Sequence, residues 1–418
     1  GLGDAQEEEI GTSRLSDDTD GDGSKDMDEI ASSAGDPRDP SLVPAAGERV
    51  FWLWYRGRSQ YETLTFDLDY KQTDVFFLVD DTHSSREAVV ALADALHASL
   101  ATDMSVLVPG LRTGSGQFSG WRMPGTIVPA GCRLPFAGIS RIEDGSAPGL
   151  AGEIASIPHC GEPLLGTSVV ESIFHVAGDS PASLWPASDA CADGLGGGCF
   201  STSSRRVIML LVSGEIPAST PAGYGAYHTL GDVSGLLADA GVHLVGLIAA
   251  DATSDLAYFP ILGLAEASGA VDFTGRPIVH LLGSDGSMTA TAVMDAIRDV
   301  AVRMPTDATV VEVDGEDWPP GGEEVDAADL IGTLYPLDWS PPPGFSPSEA
   351  CDGMDFGAFL GCVPGTTVAF KAYYRNYTVE QETRGRVFRG AIDLVGTDGY
   401  VFARIPLAFV VPALDGDS

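Results

Sequence analysis

Two periodicities divide this chain. Between residues 74 and 304, short apolar runs alternate with segments whose apolar positions recur every three or four residues. The runs at 74–80, 104–109, 206–213, 243–249 and 276–282 are read as buried strands. The segments at 84–101, 167–177, 229–241, 254–268 and 288–304 are read as amphipathic helices. Val75 to Val79 is continuously apolar, as expected of a strand covered on both faces. Such alternation predicts a mainly parallel sheet flanked by helices. The Gly- and Pro-rich stretch 112–165 is read as a long loop or insertion.

Outside that region the period is two. Residues 49–69 read as two strands around an Arg-Gly-Arg-Ser turn. Phe51, Leu53 and Tyr55 share one face of the first strand; Leu64, Phe66 and Leu68 share one face of the second. Further β-runs stand at 308–313, 366–375, 385–394 and 400–411, punctuated by turn sequences. Two strands alone are not stable, so the blocks together predict an antiparallel β-sandwich into which the α/β region is inserted. The expected organisation is an acidic N-terminal segment over 1–46 and first sandwich strands over 47–72. The α/β domain then covers 73–307 and the remaining sandwich 308–418.

Charge narrows the function. Of 418 residues, 60 are acidic and 23 basic, a net charge of −37 that argues against nucleic acid or anionic lipid as partner. No apolar run approaches the ~20 residues of a membrane helix. The chain opens on Gly1, as a processed product or fragment would. Cys132, Cys160, Cys191, Cys199, Cys351 and Cys362 form no CxxC pair. The expected disulfides are Cys132–Cys160, Cys191–Cys199 and Cys351–Cys362, one of roughly 15 connectivities. Disulfides imply a secreted or cell-surface protein.

The acidic run DTDGDGSKDMDE has an order that charge alone does not require. Asp18, Asp20, Asp22, Ser24, Asp26 and Glu29 stand at positions 1, 3, 5, 7, 9 and 12 of a twelve-residue Ca²⁺ loop, with Gly23 at the sharp turn. The following Ser33 to Pro40 lacks a long exit helix. The segment therefore resembles a bacterial thrombospondin type-3 repeat, which implies a stiffening ion and not a sensor.

A second oxygen cluster follows the strand at 74–80. Asp80, Thr82 and Ser84 alternate before a helix start. One carboxylate with two hydroxyls suits Mg²⁺, which keeps several waters; the same residues would also serve as an ordinary helix cap. The stretch DVFFLVDDTHS resembles the metal-ion-dependent adhesion site of the von Willebrand factor A (VWA) family. Gly166-Thr167 resembles the family's second site loop, and Val212-Ser213-Gly214 its third, with Ser213 where the family has aspartate. The resemblance implies Mg²⁺ held by Asp80, Thr82, Ser84 and Thr167, with Ser213 beside them and a position open to a partner's acidic side chain. The loss of one carboxylate weakens the expected ion affinity, and Asp81 or Glu215 is the candidate substitute. The arrangement of the domains resembles the integrin β I-like domain inserted in its hybrid domain.

Two function classes fit. One is an exported, non-enzymatic surface protein binding a protein or glycan through the VWA-like site. The other is a self-assembling subunit of a Ca²⁺-stabilised fibre, layer or appendage with a metal-free site. A hydrolase of unknown type is a minor third reading. The 7 histidines form no HExxH, and neither GxSxG nor a phosphate loop occurs.

Overall fold

A computed structural model describes residues 2–32, 34–44, 47–108, 110–120, 136–144, 147–158, 160, 167–178, 184–185, 191, 194–213, 216, 228–249, 255–282, 288–320 and 325–414. Helices α1 (Asp4–Ile10) and α2 (Asp26–Ala31) precede strands β1 (Arg49–Trp52) and β2 (Gln60–Asp67). The α/β region comprises β3 (Thr73–Asp80), α3 (Arg86–Ala95), α4 (Ala101–Leu107), β4 (Leu111–Phe118), β5 (Phe136–Asp144) and α5 (Ala147–Ala155). It continues through α6 (Val169–Ala177), β6 (Arg205–Val212), α7 (Leu230–Asp239), β7 (Val242–Ala249), α8 (Asp255–Ala267), β8 (Val279–Leu282) and α9 (Thr289–Arg298). The chain closes with β9 (Thr306–Asp314), β10 (Ile331–Ser340), α10 (Pro347–Ala350), β11 (Gly353–Asp355), β12 (Ala358–Cys362), β13 (Thr367–Tyr374), β14 (Arg386–Gly396) and β15 (Val401–Val411).

The α/β sheet has the order β5-β4-β3-β6-β7-β8. All its pairings are parallel except β4 with β5. β3 is buried along its whole length because helices cover both faces. Val75, Phe77 and Val79 pack with α3, α5 and α9; Phe76 and Leu78 pack with α6, α7 and α8. Successive connections leave β3 and β6 in opposite directions, so the topological switch point lies between these two strands.

The expectation of a strand at 104–109 is corrected. Met104 and Val108 are buried while Val106 is exposed, a helical spacing, and the helix begun at Arg86 runs through a π turn at Leu96–Leu100 into α4. The stretch 112–165 is likewise no plain loop, since it supplies β4, β5 and α5. β4 reads LRTGSGQF, with little β-branched content to announce it. Gly114 and Gly116 are there because Phe76 packs against them: an added Cβ would lie 3.0 Å from the Phe76 ring at Gly114 and 3.1 Å at Gly116. The strand expected at 276–282 is confined to 279–282.

The period-two blocks form two further sheets, ordered β1-β15-β14-β9-β12-β11 and β10-β13-β2. β1 and β2 thus do not pair with each other; β1 lies parallel to β15, a departure from the expected all-antiparallel arrangement. Leu53, Leu64 and Phe66 share one apolar cluster with Val368, Phe370, Phe388, Leu407 and Phe409. Strands β10, β11 and β12 were not anticipated. β11 and β12 form a short hairpin whose flanks are tied by the Cys351–Cys362 disulfide. The Cys191–Cys199 disulfide is also present. Cys160 is disulfide-bonded, and its expected partner Cys132 lies outside the described residues.

One turn joins the β-sheets to the α/β region. Asp398, between β14 and β15, accepts from Tyr70 Oη (3.1 Å) and Tyr400 N (3.0 Å) and faces His243 Nε2 at 3.9 Å. Burial pushes this carboxyl up, but His243 and Arg205 outweigh it and hold the pKa at about 2. Gly241 permits the approach, because a Cβ there would lie 2.7 Å from the Asp398 carbonyl oxygen. Asp398→Ala leaves this buried polar group without its anion and is expected to cost about 3–5 kcal/mol in urea unfolding. The contribution is full above the ordinary pKa of 3.8 and is lost as pH falls towards about 2. A loss that stayed constant down to that pH would contradict the assignment.

Candidate metal centres

Asp80 ends β3, and Ser213 follows the end of β6, so both stand at the carboxyl edge beside the switch point. Ligands of open α/β sheets bind at such edges. Asp80 is fully buried. Its Oδ1 accepts from Thr82 N (2.9 Å), and its Oδ2 accepts from Ser213 N (3.1 Å) and Ser213 Oγ (3.0 Å). Ser84 Oγ lies 2.9 Å from Ser213 Oγ and 3.1 Å from Thr82 Oγ1, and Thr82 Oγ1 lies 3.4 Å from Ser213 Oγ. Four of the five expected residues therefore converge on one point. These partners of the carboxylate are neutral, and burial raises its pKa above the ordinary value against their opposing pull.

Thr167 comes to the same edge one strand over. It is buried, its backbone bridges to Gly120, and Ser168 N donates to Ser119 O (2.9 Å) just beyond the end of β4. Gly166, Gly214 and Glu215 lie outside the described residues. Asp81 points elsewhere, with Gln117 Nε2 at 3.4 Å from its Oδ2. Ser85 went unnoticed in the sequence: buried, it donates through Oγ to the carbonyls of Asp80 and Thr82 and fixes the loop. The repeated serine directly after the alternating triplet is the signal that could have found it.

The donor set fits a hard divalent cation. It is one buried carboxylate, without a cationic partner among its hydrogen bonds, surrounded by hydroxyl oxygens. Asp80, Thr82, Ser84 and Thr167 would hold such an ion, and Ser213 Oγ would replace the usual carboxylate of the third loop.

The N-terminal loop makes a stronger case for its ion. Positive φ at Gly21 (80°) and Gly23 (102°) folds the chain back, and the amides of Gly21 and Gly23 donate to Asp18. Asp18, Asp20 and Asp22 each bring an oxygen within 4.8 Å of the others. Asp20 Oδ2, Asp22 Oδ2 and both Glu29 oxygens are buried without a hydrogen-bond partner. Glu29 is 0% exposed, and burial, then repulsion from Asp20, Asp22, Asp26 and Asp18, pushes its pKa up to about 7. Four orphaned carboxylate oxygens fit Ca²⁺, which takes both oxygens of the last glutamate. Ser24 N donates to Asp22, while both Asp26 oxygens are occupied by Thr19.

The loop is seated on the β1-β15-β14-β9-β12-β11 sheet. Met27 and Ala31 of α2 pack on Val387, Ala408 and Val410. Arg389 of β14 donates to the carbonyls of Ile30 and Ala31, and Trp52 Nε1 donates to Asp28 (3.0 Å). Gln6 of α1 exchanges two hydrogen bonds with the backbone of Gly385 (2.8 and 2.7 Å).

The α/β region is thus a mainly parallel sheet with Asp80 and Ser213 at its carboxyl edge. No protein-family model matches the sequence, and no curated protein matches it. Among solved structures, the chain is similar to a von Willebrand factor type A protein from Catenulispora acidiphila. Identity is 10% and the TM-score 0.38, over 87% of this chain and 72% of that one. The SpaC pilus adhesin of Lactobacillus rhamnosus GG, in its open conformation, matches at 13% identity and TM-score 0.34. That match covers 84% of this chain but 45% of the adhesin, so the chain spans under half the adhesin's length. Proximal thread matrix protein 1 of the mussel byssus matches at 11% identity and TM-score 0.34, over 57% and 48% of the two chains.

Proposed function

We propose that this chain is a non-enzymatic, exported adhesion module. Its VWA-like unit would take one Mg²⁺ at Asp80, Thr82, Ser84 and Thr167, and the ion would bind an acidic side chain of a protein partner or an anionic glycan. The observation that carries this reading is the convergence of Asp80, Thr82, Ser84 and Ser213 at the switch point, around a buried carboxylate with neutral partners. A divalent ion there attracts an anion that the net charge of −37 otherwise repels. Disulfides support an oxidising, extracellular setting. Among the described residues no helix is long and apolar enough to cross a membrane.

The wider organisation in this reading is a β-sandwich built from residues 47–72 and 308–418, carrying the 73–307 unit as an integrin-like insertion. Ca²⁺ at Asp18–Glu29 stiffens the 1–46 segment against it, in the manner of a thrombospondin type-3 repeat. Calorimetric titration with Mg²⁺ tests the head. The wild type should bind one ion that Asp80→Ala loses while its circular dichroism stays native. Equal Mg²⁺ binding by both proteins would refute the site. One observation favours the second reading, a structural subunit with a metal-free head. Ser213 Oγ already occupies the centre of the hydroxyl network.

A further inference from the structure

The outer face of the β10-β13-β2 sheet is unlike the rest of this acidic molecule. Its inner face is buried, through Leu64, Phe66, Phe370, Ala372 and Tyr374. The outward register places Tyr61 beside Tyr373, and Lys371 beside Tyr335. Lys371 Nζ, one of only 3 lysines in the sequence, lies 4.8 Å from the Tyr61 ring centre and 5.6 Å from that of Tyr373. The Tyr335 and Tyr373 hydroxyls are 3.1 Å apart. Tyr61 is 68% exposed. Arg375 extends this end of the face, lying over Gly332, where an added Cβ would sit 2.9 Å from its Nε.

The other end of the same face is acidic. Asp67 pairs in register with Thr367, and Asp338 with Ala369, and both aspartates are exposed. The face is therefore dipolar along its strands: tyrosines and cations at the Tyr373 end, carboxylates at the Thr367 end.

We infer that this face binds its own counterpart on a second copy of the chain, through a two-fold axis lying across the strands near Leu64 and Phe370. Such a rotation reverses strand direction and keeps each strand opposite itself. Tyr61 then faces Asp67 of the other copy and Tyr335 faces Asp338, with Lys371 within one strand spacing of that carboxylate. A two-fold contact has to be self-complementary in this sense. Tyrosine, an amphipathic residue, suits an interface in which ring and hydroxyl both find partners. The contact does not depend on an ion at Asp80. Three strands of about eight residues present on the order of 400 Å², about half of the ~800 Å² per partner typical of stable complexes. The association is therefore weak, with a Kd on the order of 10⁻⁴ M.

Sedimentation velocity of the full chain over a concentration series up to about 500 µM, near that dissociation constant, tests the inference. The wild type should show a concentration-dependent dimer. Lys371→Glu should weaken it about tenfold or more, and Asp338→Lys likewise. The double variant Lys371→Glu/Asp338→Lys, which restores opposite charges across the two-fold, should recover dimerisation. Both positions of change are on the outer face, so unaltered circular dichroism serves as the folding control. A wild type that stays monomeric overturns the inference and leaves the platform to a different acidic partner. Dimerisation indifferent to Lys371→Glu overturns it as well.

Discussion

Glu29→Gln will raise the melting temperature of calcium-free protein at about pH 8 and abolish the gain that calcium gives the native sequence. Both effects follow from one buried carboxylate. Glu29 is 0% exposed, and neither oxygen has a partner. Its pKa of about 7 means that, above neutrality and without an ion, the fold carries an unpaired buried charge beside Asp20 and Asp22. The isosteric amide removes that charge and also the bidentate ligand. In the native sequence, Ca²⁺ at about a hundred times its Kd adds about 2.7 kcal/mol, a condition met near 10 mM for a loop with Kd on the order of 10⁻⁴ M. The sign with pH is set by the raised pKa. Folded protein holds an extra proton between the ordinary value of 4.5 and about 7, so calcium-free stability falls as pH rises through that window. The calcium effect grows over the same range, because ion and proton compete for Glu29. Scanning calorimetry with chelator and with calcium, at both ends of the window, reads all of this. A Glu29→Gln protein that keeps the calcium gain would exclude Glu29 as a ligand.

Ser213→Asp is the second large effect, and it changes sign with the ion. The new carboxylate would sit where Ser213 Oγ now lies, 3.0 Å from Asp80 Oδ2. Without metal, the buried Asp80 carboxylate and a half-buried one at that separation repel, and we expect a loss of about 1–3 kcal/mol. With Mg²⁺ the same pair supplies the second negative charge that the site lacks, and affinity should rise about tenfold or more. Thermal melts with and without Mg²⁺, beside calorimetric titration, give both numbers. Unchanged affinity would show that position 213 does not face the ion.

These two sites were legible in the sequence to different depths. Ser213 stands more than a hundred residues from Asp80, Thr82 and Ser84, yet the four are found together. Each lies at the end of a strongly apolar strand, and the sheet brings strand ends to one edge. Glu29 was legible as a candidate ligand from spacing alone, but the burial of both its oxygens without partners was not. Nor was the close approach of Gly35 to the same residue, where an added Cβ would be 2.7 Å from the Glu29 Cα. The strands that escaped notice have a common cause. β4 is glycine-rich because aromatic rings fill the space, and β10, with Pro336, carries irregular register. Tertiary neighbours, absent from any local window, decide both. The segment at 104–109 misled for the opposite reason, since MSVLVP is apolar at both periods. Buried Arg205 could not have been foreseen either. It bonds the carbonyls of Val300 and Met304 (2.7 and 2.9 Å) and sits 4.1 Å from the Tyr70 ring centre.

The parallel pairing of β1 with β15 bears on how the protein is made. Arg49 to Trp52 lie against Leu407 to Val410, and β2 lies against β13. A ribosome adds the intervening residues, roughly 350 of them, over on the order of 20–70 s. Throughout that interval Phe51, Leu53, Leu64 and Phe66 have no native partners, while residues 73–304 are already contiguous and free to fold. Nascent chains should therefore pass through a state with a finished α/β unit and a sticky N-terminal tail. Holdase chaperones, or rapid export before compaction, would be expected to guard that stage.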